Sequence, residues 1–116
     1  NEKMAEFINP TAILGEQMTK FTTEIGFKGM QNPDEVGAAA VDYLRVAGHL
    51  VFGYLFARMA QVSLRAIANG STDPFYTAKL QTARFYFAKL FPETVLLMRT
   101  ARAGSKVLMD TDAALA

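Results

Sequence analysis

The sequence predicts an all-α chain, an up-down four-helix bundle with one long, nearly all-round apolar second helix. Three observations carry that expectation. Apolar residues recur at helical spacing throughout, no stretch shows the sustained apolar–polar alternation of a half-buried strand, and three Asn-Pro or Asp-Pro pairs divide the chain where helices can start. At 116 residues the chain reads as one domain, residues 1–116, long enough to bury roughly two thirds of the surface its unfolded form exposes.

The first helix is expected near Asn9 and Pro10 and runs towards Gly26 or Gly29, with Leu14, Met18, Phe21 and Ile25 on one face. Residues 1–9 are left as a candidate connector. Gly26 to Pro33 is turn chemistry, after which Asn32 as cap, Pro33 at the first position and Asp34 and Glu35 in the first turn open the second helix. That helix has no proline and persists to about Ala68, where Asn69-Gly70-Ser71-Thr72 stops it. Gly48 and Gly53 inside it each cost about 1 kcal/mol of helix propensity, which suggests close packing against another backbone.

Asp73 can cap a third helix by accepting a bond from an orphan N–H, and Pro74 suits its first position. It should run to about Leu90. Pro92 cannot sit in an unbroken helix interior, so it either starts a fourth helix or kinks a continuous one; a new helix from Glu93 to about Met109 is the expectation, with Asp110 to Ala116 continuing it weakly or fraying. Between Val46 and Ala57 the second helix is apolar nearly all round, which implies burial on two sides: the bundle core, and a partner surface carrying His49, Phe52 and Phe56.

Composition narrows the function classes. A net charge of +1 argues against nucleic acid as the main partner, and zero cysteines remove disulfides, thiolate nucleophiles and cysteine metal sites. No apolar leader opens the chain, so a cytoplasmic location is the default, and the Val46–Ala57 window is shorter than the ~20 residues of a spanning helix. No transmembrane segment is expected. Charge is segregated, net −4 over residues 1–44 and net +4 over residues 73–106, which reads first as complementarity between helices of one bundle.

No catalytic motif stands out. His49 is the only histidine, and Asp42, seven residues away on the same helix, is too far to partner it; a lone His in an apolar segment is ordinarily a hydrogen-bonded packing residue. None of the six glutamates is followed by a histidine three residues later, so the di-iron pattern is missing. Ser63, Ser71 and Ser105 lie in no nucleophile motif, and the glycines form neither a dinucleotide fingerprint nor a P-loop. Arg99, Arg102 and Lys106 at helical spacing read as a solvated face that complements a helix dipole, and Phe85, Tyr86, Phe87 and Phe91 as packing aromatics.

The order Asp73-Pro74-Phe75-Tyr76, then Ala78-Lys79-Leu80, then Thr82-Ala83-Arg84-Phe85, then Pro92 resembles the C-terminal helical accessory domain (acetyl-CoA dehydrogenase C-terminal-like) of acyl-CoA dehydrogenase family flavoproteins. The likeness is sharpest from Asp73 to Pro92 and looser from Pro33 to Met109. The resemblance implies an excised C-terminal module of a larger chain that oxidises acyl-CoA thioesters with FAD, the flavin and acyl-CoA being held by other domains. It implies a non-catalytic structural or oligomerisation role, with the parent's catalytic domains and further copies as partners. No catalytic, cofactor or metal residue carries over. Asp73, Pro74, Phe75, Tyr76, Lys79, Leu80, Thr82, Ala83, Arg84, Phe85 and Pro92 become the expected packing and interface residues, with Arg84 a candidate buried ion-pair partner. A free-standing interaction or small-ligand module is the alternative.

Overall fold

The computed structural model describes residues 2–110, and over that range the chain is a helical bundle with no strand. A short 3₁₀ turn, Glu2–Met4, leads into α1 (Ala5–Gln31). Then come α2 (Asp34–Ala68), α3 (Pro74–Phe85), a π-helical turn (Tyr86–Leu90), α4 (Glu93–Ala101) and a single turn, α5 (Lys106–Met109).

The boundaries show where local chemistry decides and where packing does. Asn32 Oδ1 accepts from the Asp34 N–H at 3.1 Å, and Asp73 Oδ1 accepts from the Phe75 N–H at 3.0 Å, so both expected caps are in use. Helix α2 stops through paired bonds from Gly70 N to Ile67 O and from Ser71 N to Ala66 O, with Gly70 left-handed at φ 96°. The first helix begins upstream of the expected Pro10. Met4 and Phe7 are buried against Ala60, Leu80 and Ala83, so tertiary contacts carry the helix through the proline and dock residues 2–9 on the bundle, where a connector was expected. The fourth helix ends at Ala101, eight residues short of Met109, because the backbone turns at Gly104 with φ 86°. Arg99, Arg102 and Lys106 therefore do not share one helix. The expected tail from residue 111 onward lies outside the described residues.

The helices pack as three rods in an elongated body of 68 × 27 × 16 Å. Helix α1 runs antiparallel to α2: Thr22 bonds Tyr43 near one end, and Thr11 abuts Gly53 further along. Helix α3, the π turn and α4 lie in line as the third rod, antiparallel to α2, with Tyr86 at His49, Glu93 at Arg45 and Thr100 at Asp42. Ion pairs Glu6–Arg84 and Glu24–Arg102 tie the acidic first rod to the basic third, as charge complementarity within one bundle requires.

The π turn is absent from any 3.6-residue reading, and it sets the third rod's register. Phe91 N bonds Tyr86 O, a five-residue step at 2.9 Å. Five residues of regular α-helix would rotate Phe91 by roughly 140° from Tyr86. The wider turn returns both rings to the core, centroids 6.0 Å apart, and is followed at once by Pro92, which opens α4.

By length and composition α2 could cross a membrane. Here Ala39, Val46, Gly53 and Ala60, spaced every seven residues, are buried against the other two rods. The opposite side of α2 is bare, so the two-sided burial expected for Val46–Ala57 is met on one side within the single chain.

Candidate functional site

At the junction of α2, the π turn and α4, four polar side chains converge that are far apart in sequence. His49 Nδ1 lies 2.8 Å from the Tyr86 hydroxyl, and His49 Nε2 lies 2.7 Å from Glu93 Oε2. Arg45 Nη2 donates to the other Glu93 oxygen. Arg45 and His49 stand one helical turn apart on α2, and Glu93 sits in the first turn of α4, where a carboxylate complements the helix dipole. Sequence reasoning sought a partner for His49 on its own helix and so missed Glu93. The available signal was Glu93 placed just after Pro92, at a helix start that must lie beside α2 in any up-down arrangement.

Tyr86 is the buried member. Phe56 stacks on its ring with centroids 4.4 Å apart, and the edges of Phe87 and Phe91 close two more sides. Burial first, and the nearby Glu93 charge second, push its hydroxyl pKa up to about 12. The Glu93 carboxyl is held below the usual range, chiefly by its hydrogen bond from His49, against an opposing effect of burial, with the Arg45 charge adding a smaller lowering.

Proton bookkeeping closes in two ways. The Tyr86 hydroxyl has two acceptors in reach, His49 Nδ1 and the His49 carbonyl at 3.2 Å. With His49 neutral and protonated on Nε2, Nε2 donates to Glu93 and Tyr86 donates to Nδ1. With both ring nitrogens protonated, Nδ1 donates to the Tyr86 oxygen and Tyr86 donates to the carbonyl. Both arrangements satisfy every group, so the network locks α2 to the third rod across either protonation state.

An open recess of about 350 Å³ lies over this network, lined by Arg45, Gly48, His49, Phe52, Tyr86, Leu90 and Glu93. Its lining holds no serine, threonine or cysteine. Ser63 bonds the Met59 carbonyl, Ser71 accepts from the Asp73 N–H, and Ser105 bonds Glu35, so the three serines are structural groups away from His49. Among the described residues no three His, Cys, Asp or Glu side chains converge as a metal site.

The residues Asp73 to Pro92 mostly serve the third rod. Asp73 caps α3 and Pro74 opens it; Leu80 and Ala83 are buried; Tyr76 is half-buried; Thr82 bonds the Ala78 carbonyl; Pro92 opens α4. Lys79 lies over the exposed Phe75 ring at 5.0 Å, and Phe85 is also exposed. Arg84 does form an ion pair, Nε to Glu6 Oε1 at 2.7 Å, and lies 5.7 Å above the Phe7 ring, but both charged side chains are about half exposed, which corrects the expectation of a buried pair. Of the second-helix candidates, Phe52 is exposed, whereas His49 and Phe56 belong to the Tyr86 network.

No curated protein matches the chain. A family model described as acetyl-CoA dehydrogenase C-terminal like matches residues 1–112.

Proposed function

The chain belongs to the acetyl-CoA dehydrogenase C-terminal-like family, and from that premise we propose that it is a non-catalytic structural and oligomerisation module of an acyl-CoA dehydrogenase-like flavoprotein. The observation that carries this reading is the family match over nearly the whole chain, joined to a site whose polar groups are spent on each other. In this reading the parent oxidises acyl-CoA thioesters with FAD in the cytoplasm. The module packs on the parent's catalytic domains and supports assembly.

The residues that line the recess over Tyr86 do not suit a flavin. Its phosphates call for donors with unspent charge, and Arg45 and His49 already share Glu93. Its ring calls for an enclosed slot, and the recess over Tyr86 is open. In this reading FAD and acyl-CoA belong to other domains of the parent.

The test is the mass of the native polypeptide in source cells, detected with an antibody raised against this domain. A band several times heavier than 12.7 kDa, with flavin absorbance in the purified species, is the expected result. A band at the domain's own mass overturns the reading. The bare face of α2 would then favour a free-standing interaction module.

A further inference from the structure

Helix α2 carries two seams. The inward one is Ala39, Val46, Gly53 and Ala60. On the opposite side, Val41, Leu44, Gly48, Val51, Leu55 and Val62 follow the three-four spacing of a coiled-coil seam. The five apolar side chains among them are each more than half exposed. This second seam runs ~32 Å along the helix, and nothing among the described residues covers it.

We propose that this face of α2 packs against the same face of a second copy of the chain, antiparallel about a twofold axis between Gly48 and Val51. The inference rests on the reading of the chain as an oligomerisation module and names the surface and the partner. Two further observations select a second copy in that orientation.

Charge is the first. The three-four series continues outward through Gly37 to Asp34 at one end and to Arg65 at the other, and Arg58 fills its position between Leu55 and Val62. Over residues 34–44 the helix carries Asp34, Glu35 and Asp42, and over residues 45–68 it carries Arg45, Arg58 and Arg65. A parallel pair would set Asp34 on Asp34 and Arg65 on Arg65. The antiparallel pair that centres the seam sets Asp34 on Arg65 at both ends, Val41 on the apolar stem of Arg58, and Leu44 on Leu55 near the middle, so the ends of the face are complementary in charge.

Gly48 is the second. A Cβ at Gly53 would collide with Thr11 and Phe91, so that glycine is needed inside the bundle. A Cβ at Gly48 would meet nothing within 4 Å, so the cost of a glycine in mid-helix has no cause among the described residues. Next to the proposed axis it lets two helix backbones approach closely, with Val51 of the other copy opposite.

Sedimentation equilibrium of the 116-residue chain at micromolar concentration should give twice the 12.7 kDa mass. Leu55→Glu, whose side chain is exposed in the single chain, should keep the helical circular-dichroism spectrum and weaken the dimer at least about 100-fold. Because the chain has no cysteine, orientation can be read directly. On oxidation, Leu44→Cys chains mixed with Leu55→Cys chains should link to each other, and Leu44→Cys chains alone should not. A monomer throughout, an unchanged dimer in Leu55→Glu, or self-linking of Leu44→Cys would overturn the proposal. A monomeric chain with a heavy flavin-bearing parent leaves the accessory-module reading standing with α2 covered by another domain; a dimer without such a parent does the reverse.

Discussion

His49 on α2 and Glu93 on α4 meet at 2.7 Å across 44 residues of sequence, and Arg45 holds the second oxygen of the same carboxylate. Removing the imidazole leaves Glu93 with Arg45 alone and leaves the buried Tyr86 hydroxyl with a backbone carbonyl as its remaining partner. His49→Ala is therefore expected to cost about 1–3 kcal/mol, read as a lower denaturant midpoint with unchanged slope. An unchanged midpoint would remove the lock from the account of the fold.

The same contact predicts an acid limb. Glu93 is held below its ordinary value of 4.5, so its contribution is fully present above that pH and is lost as pH falls through the depressed folded value. Glu93→Gln has no such carboxylate. Its stability should fall less steeply than wild type below pH 4.5, and parallel curves for the two proteins would count against the assignment.

Tyr86 predicts the alkaline limb. Its hydroxyl pKa is raised from 10.0 to about 12, so the folded state holds the phenol proton more tightly than the unfolded chain does. Stability from this group is intact below pH 10 and is lost as pH rises towards 12. In spectrophotometric titration at 295 nm, Tyr86→Phe should delete the phenolate signal that appears latest. Loss of an early-titrating signal would mean that Tyr86 is better solvated than the Phe56 stack allows.

How much of this was legible in the sequence differs by the range of the force involved. Asp73 with Pro74, Asn32 with Pro33, and Asn69 with Gly70 act within four residues, and each sets a boundary where sequence reasoning places it. The start of α1 was not legible, because Phe7 and Glu6 are held by Phe87 and Arg84, about eighty residues away. The candidate site failed for the same reason. Glu93 becomes the partner of His49 only once the π turn and Pro92 set the third rod's register. The bare face of α2 was visible within Val46–Ala57 as excess apolarity, since a helix with one core-facing side has no need of Val51 and Leu55 on the other.

Gly70 closes α2 in the left-handed region, φ 96°, where a Cβ is strained. Gly70→Ala should cost about 1–2 kcal/mol although nothing lies within 4 Å of the added methyl. Thermal unfolding of this variant beside Gly70→Asn, which tolerates that conformation better, checks the cause: a smaller loss for Asn identifies backbone strain, and equal losses reject it.

Gly48 and Gly53, two of the three glycines inside α2, should respond to alanine in opposite directions. At Gly53 the added Cβ would sit 2.7 Å from Thr11 Oγ1 and 3.2 Å from Phe91, in the seam where α1 and the third rod both press on α2. Overpacking of this kind costs about 1–3 kcal/mol, more than the helix propensity that alanine restores. At Gly48 the methyl meets nothing within its own chain, so Gly48→Ala should stabilise the single chain by up to about 1 kcal/mol in denaturant titrations run below the concentration at which copies associate. If both variants lost stability alike, Gly48 would have a packing role inside the bundle. If both gained, the Thr11 and Phe91 contacts would be loose enough to yield, and the close approach of α1 to α2 would not depend on Gly53.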